Sequence, residues 1–219
     1  MSGADRSYRL AFPSDRLFER AMRILDDAGT RYGRPFDWTM GGGTVLALRH
    51  GHRSSKDIDI FVPDPQYLNY LTPRLSDVAA EGLPDYEEAA GFVKLRYAEG
   101  EVDFVVGTLL TRPGAELAHL GTRPVRLETD IEIVAKKLHY RGARLAARDV
   151  FDLAMVLEAD PGSAAVLRDW AASHREAIAQ SLARWRGDAV FARAFAAIDA
   201  RAFAVSVDQA LARCARLVD

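Results

Sequence analysis

Asp57 and Asp59 stand one residue apart in the stretch Asp-Ile-Asp-Ile-Phe-Val, residues 57–62. Side chains alternate along an extended strand, so both aspartates face one side and Ile58 and Ile60 face the other. The two carboxylates then sit about 7 Å apart along the backbone. Like charges at that spacing repel, and neither is buried unpaired without cost. A divalent cation relieves both problems, because Mg2+ (or Mn2+) takes carboxylate oxygens and leaves positions open for water and substrate phosphates. A third carboxylate, Asp103, lies in Glu-Val-Asp-Phe-Val-Val, facing away from Val102, Phe104 and Val106. If that strand pairs beside the first, Asp57, Asp59 and Asp103 form one metal-binding set suited to two-metal phosphoryl transfer, with Asp103 able to act as base. Taken alone, Asp-x-Asp also describes a strand that begins at a solvated edge.

Upstream, Gly41, Gly42 and Gly43 precede Thr44 and a short apolar run. Glycine lets the backbone approach a ligand, and a helix N-terminus offers free N–H donors to phosphate. Gly42, Gly43 and Thr44 are therefore candidate nucleotide-binding residues. The stretch is neither a Walker A loop nor a dinucleotide fingerprint, since the residues that define those are missing. Downstream, Lys137, Arg141, Arg144 and Arg148 follow helical spacing and form one basic stripe if the helix is continuous. Such a stripe is either a solvated face or a triphosphate clamp led by Lys137. Asp149 by spacing alone pairs with a neighbouring base or caps a helix, and Asp152 reads as structural. His50, His52 and His139 lack metal-ligand spacing.

The order strand, glycine turn, short helix, basic turn and carboxylate strand resembles the DNA polymerase β-like nucleotidyltransferase superfamily. More closely, Gly-Gly-Thr followed by Arg53, Ser55, Asp57 and Asp59 resembles the opening motif of AbiEii/AbiGii toxin-type nucleotidyltransferases. Their second motif resembles Lys137, Arg141, Arg148, Asp149 and Asp152 of this sequence. The resemblance implies an NTP substrate and a catalytic set of Asp57, Asp59, Asp103, Lys137 and Asp149. It adds Arg53, Ser55, Arg141 and Arg148 to the nucleotide-binding residues. It also implies an RNA acceptor, such as tRNA, and a cognate antitoxin partner. Its fold would be α+β: a mixed sheet flanked by helices, then an all-helical C-terminal lobe.

The elements that must position these groups read accordingly. Ser14 caps a helix with Phe18, Met22 and Leu25 on one face, and Gly29 stops it. Phe36, Trp38 and Met40 alternate as a short strand. Residues 91–107 read as a hairpin turning at Glu99 and Gly100, and Arg123–Glu128 as a further strand. Residues 130–158 read as helix apart from Gly142. The expected domains are a nucleotidyltransferase core, 1–128, and a helical lobe, 129–219. Leu167, Trp170, Ile178, Leu182 and Trp185 share a helical face, and His174 on that stripe reads as a core histidine.

The 219 residues carry 29 basic and 31 acidic side chains, so the net charge of −2 excludes a globally basic nucleic-acid binder. The single cysteine, Cys214, excludes an internal disulfide and a cysteine-based zinc site, and reads as inert packing. No apolar h-region and no long apolar run occur, so the expectation is a cytoplasmic protein with no membrane partner. The expected activity is transfer of a nucleotide monophosphate from an NTP to an acceptor hydroxyl. Transfer to a protein hydroxyl, a non-catalytic nucleotide- or RNA-binding module and an antitoxin-binding regulator are the rival readings.

Overall fold

The computed structural model describes residues 6–219. The chain forms two compact units. The first takes residues up to Leu48, then Ser55–Leu109 and Ala115–Glu128; the second takes Arg49–Ser54, Leu110–Gly114 and Thr129–Asp219. The fold class is α+β. No helix among the described residues is long and apolar enough to cross a membrane.

The first unit is built on a mixed sheet of β1 (Arg6–Tyr8), β2 (Thr39–Gly41), β3 (Ile58–Val62), β4 (Asp85–Ala89), β5 (Phe92–Arg96), β6 (Glu101–Val106), β7 (Ala115–Leu120) and β8 (Arg123–Glu128). Their order is β1-β7-β8-β2-β3-β6-β5-β4. β3 runs parallel to β6, β2 to β8 and β1 to β7, and the other neighbours are antiparallel. The alternation of β3 is the one its sequence implies: Ile58, Ile60 and Val62 are fully buried while Asp59 and Phe61 are half-buried. Burying an aliphatic side chain of this size contributes about 1.5–3 kcal/mol, so these three lock the strand's phase. A one-residue slip would push the aspartates into the core.

Against β3 and β6 lies α1 (Ser14–Tyr32), whose buried face includes Leu17, Met22, Ile24 and Leu25. Ser14 is the first helical residue rather than the cap; Pro13 holds the cap position without a side-chain bond. The helix also runs through Gly29 and ends at left-handed Gly33, whose N–H donates to the carbonyls of Gly29 and Thr30. One interior glycine costs a helix only about 1 kcal/mol, less than this apolar face recovers. At Gly29 a Cβ would lie 3.3 Å from the Arg34 carbonyl oxygen, so its lack of a side chain serves close packing. The remaining helices of this unit are α2 (Gly42–His50), whose last two residues fall in the second unit, α3 (Leu68–Leu71) and α4 (Asp77–Ala80).

The second unit is helical: α5 (Asp130–Arg141), α6 (Ala147–Ala159), α7 (Ser163–Ala171), α8 (Arg175–Trp185), α9 (Ala189–Ala196) and α10 (Val207–Ala215). α6 packs against α5, α7, α9 and α10, and residues 149–157 are buried without interruption. The helix expected over 130–158 is therefore two helices separated by a 3-10 turn, Gly142–Arg144. Gly142 is buried at the break, where a Cβ would lie 3.1 Å from Cγ1 of Ile178. Leu167, Ile178 and Leu182 are buried as the stripe implies, whereas Trp170, Trp185 and His174 are only half-buried. Cys214 is fully buried beside the Val150 carbonyl, and burial pushes its thiol up to about 12, which makes it inert.

Candidate active site

The parallel pairing of β3 with β6 sets Asp59 directly beside Asp103. Paired residues on adjacent strands point to the same face and are separated by the strand spacing of about 4.8 Å. The row continues on both sides: Lys94 of β5 pairs with Asp103, and Gly41 of β2 pairs with Asp59. Lys94 thus joins the acidic face, a placement its sequence position alone did not reveal. Its Nζ donates to Asp103 Oδ2 at 2.7 Å and to Glu101 Oε2 at 2.8 Å.

Gly41 and Gly42 are glycines for steric reasons. A Cβ on Gly41 would sit 2.2 Å from Glu128 Oε2, and one on Gly42 would sit 1.9 Å from Asp59 Oδ2. Gly42 also has φ +75°, which favours glycine. The Asp59 carboxylate consequently lies against the first residue of α2, where backbone N–H donors emerge. Thr44 is buried; its hydroxyl donates to the Asp57 carbonyl at 2.5 Å and lies 3.0 Å from Ser55 Oγ. That bond ties α2 to the approach of β3 and occupies the Thr44 hydroxyl proton. Asp57 sits one residue before β3, and its Oδ1 accepts from the Glu101 N–H at 3.0 Å. Glu128, fully buried, accepts from the Thr39 hydroxyl at 2.7 Å.

Burial raises the Asp103 carboxyl above its ordinary value; Glu101 and Asp57 add to the rise, and Lys94 opposes it. Its second oxygen, Oδ1, is buried with no hydrogen-bond partner. A buried carboxylate oxygen left without a donor is costly, and hard oxygen donors on one face suit Mg2+ or Mn2+. The residues present thus fit a divalent cation. Among the described residues no three His, Cys, Asp or Glu side chains are gathered so as to hold one as they stand.

The second motif falls in the helical unit. Lys137 Nζ donates to Asp149 Oδ1 at 2.7 Å and lies 2.9 Å from Asp152 Oδ2; Arg141 reaches Asp149 at 3.4 Å. Asp152 also receives Arg53 Nε at 2.6 Å and Nη2 at 2.8 Å, and meets His52 Nε2 at 2.8 Å. Burial works against ionisation of both aspartates, but Lys137 and the neighbouring arginines hold them below the ordinary carboxylate value. Burial likewise opposes the Lys137 ammonium, and Asp152 and Asp149 outweigh it, raising its value. Asp149 also caps α6 by accepting from the Ala146 N–H at 3.0 Å. The expected single basic stripe is not formed: Lys137 and Arg141 lie on α5, Arg144 in the 3-10 turn and Arg148 on α6. The break at Gly142 interrupts the helical phase that would have aligned them.

The sequence model of the family described as nucleotidyl transferase AbiEii toxin, type IV TA system, matches residues 24–213. The chain belongs to this family. It is a nucleotidyltransferase. A search of curated proteins found no match. Among solved structures, JHP933 from Helicobacter pylori is 15% identical over 95% of this chain and 91% of that one, with TM-score 0.46. The lincosamide antibiotic adenylyltransferase LnuA, bound to lincomycin, is 18% identical over 61% of this chain and 92% of that one, at 0.41. ANT(2")-Ia in complex with adenylyl-2"-tobramycin is 14% identical over 77% and 88%, at 0.38. Likenesses of this size carry no argument about chemistry.

Proposed function

We propose that this AbiEii-family nucleotidyltransferase moves a nucleotide monophosphate from an NTP to a hydroxyl of RNA, with tRNA as the acceptor class, and acts as a toxin restrained by an antitoxin. The observation that carries the site is the side-by-side placement of Asp59 and Asp103 next to the glycine-led start of α2. Asp57, Asp59 and Asp103 would hold Mg2+ or Mn2+, which when bound would neutralise triphosphate charge and favour deprotonation of the acceptor hydroxyl. The N–H groups of Gly42, Gly43 and Thr44 would bind phosphate oxygens. Asp103 Oδ1, buried with no hydrogen-bond partner, would take the acceptor proton. The acceptor oxygen bonds to the α-phosphorus, the bond to the bridging oxygen breaks and pyrophosphate leaves. Ser55 supports this site through its contact with Thr44. Arg53 is assigned to nucleotide handling by the opening motif alone, and Lys137, Asp149, Arg141 and Arg148 by the second motif alone.

Incubation with each labelled NTP, Mg2+ and either total RNA or total protein tests the reading. Label entering tRNA supports it. Label entering protein favours transfer to a protein hydroxyl, and no pyrophosphate from any NTP overturns transferase action by this site.

A further inference from the structure

The Lys94 ammonium reaches the acidic row from within the sheet. It lies on β5, in register with Asp103, and divides its hydrogen bonds between Asp103 Oδ2 and Glu101 Oε2. Both bonds are short, and the Lys94 side chain is only 25% exposed. An ammonium there does electrostatically what a divalent cation would do for the same carboxylate. The two cannot both own Oδ2, because a ligating oxygen that is also held by Lys94 sits beside a second positive charge.

We propose that Lys94 is the resident counter-ion of Asp103, a positioning residue that competes with the divalent cation and keeps cation affinity low until nucleotide brings further oxygen ligands. This rests on the carboxylate site proposed above. Three features support it. Asp103 Oδ1 is left bare while Oδ2 is held, so the carboxylate is already oriented with one oxygen available. Glu101 offers Lys94 an alternative anion on the same strand, so the ammonium keeps a partner when Asp103 lets go. Asp57, the other charged neighbour, is anchored separately by the Glu101 N–H and does not depend on Lys94.

The test measures Mn2+ binding to the full chain without nucleotide, by the loss of the free-ion electron paramagnetic resonance signal. Lys94→Met removes the charge and keeps most of the length. It should bind Mn2+ about tenfold more tightly than the wild type, the scale of a typical coupling between two ligands. The gain should vanish when Asp103→Asn is added, because the ammonium acts through that carboxylate. In the wild type, nitrogen-15 resonance of Lys94 Nζ should shift as Mg2+ is added, a readout that needs no variant. Equal or weaker Mn2+ binding by a folded K94M, or a Lys94 signal unmoved at saturating Mg2+, overturns the proposal while leaving the carboxylate site intact. Failure of both proteins to bind Mn2+ overturns the site and the proposal with it.

Discussion

In the sheet unit, Asp103 keeps a buried oxygen with no donor and titrates above the ordinary carboxylate value. In the helical unit, Asp152 is more deeply buried, yet it meets Arg53, His52 and Lys137 and titrates below that value. Both are aspartates on regular elements, with apolar residues beside them in sequence. The difference lies in what each environment finishes. The helical unit completes its carboxylates with protein cations, which makes them parts of a structural knot. The sheet gathers carboxylates and leaves an oxygen of Asp103 without a donor, so an outside cation has something to gain there.

The sharpest way to break the comparison is to neutralise one acid in each place. Asp59→Asn should reduce transfer by about 10⁴-fold, roughly 5 kcal/mol at the transition state, with the urea midpoint almost unchanged. A transfer rate within tenfold of wild type would remove Asp59 from the site. Asp152→Ala should destabilise the fold by about 3–5 kcal/mol, because it strands buried cations; urea unfolding that moves by less than 1 kcal/mol would show that the knot holds little together. Gly42→Ala should cost about 1–3 kcal/mol in stability and slow transfer, since it strains a left-handed residue and displaces the Asp59 carboxylate. An alanine variant with wild-type rate and unfolding midpoint would show that the close approach is not needed.

Acid gives the gentlest comparison. Asp149 and Asp152 are depressed in the fold, so their stabilisation is complete above the unfolded value of 3.8 and is lost as pH falls below it. Asp103 is raised, so its charged form destabilises the fold at neutral pH, and that penalty is relieved as pH falls through its folded value. Asp103→Asn should therefore be slightly more stable than the wild type at pH 7 by thermal unfolding, and the gap should close towards pH 4. A variant less stable at pH 7 would mean that the Lys94 bond outweighs the burial cost.

Much of the sheet was legible because β3 and β6 carry an unambiguous period of two, with Ile58, Ile60, Val102 and Phe104 fixing which side the aspartates face. The glycine-led helix was legible for the same local reason. Lys94 was not, and the cause is register. The hairpin turns on Ala98 and Glu99, since Tyr97 and Gly100 exchange backbone bonds. A turn centred one residue later, on Glu99 and Gly100, would set Arg96 rather than Lys94 opposite Asp103. β4 was missed because all five of its residues are exposed, so it has no apolar alternation to read. The basic stripe failed at Gly142, whose tight contact with Ile178 is a tertiary fact invisible to helical periodicity. The salt-bridged knot was also beyond reach, because Arg53 and Asp152 meet across 99 positions of chain.

The chain passes from one unit to the other after Leu48, Ser54, Leu109, Gly114 and Glu128. A gene severed after codon 128 would leave the downstream fragment without Arg53, and without the Leu110 and Thr111 amides that Glu132 accepts from. Two buried acids would lose donors at a stroke. The helical portion could not be inherited or grafted as a free-standing cassette, so any exchange of it between relatives must carry those two short segments along with it.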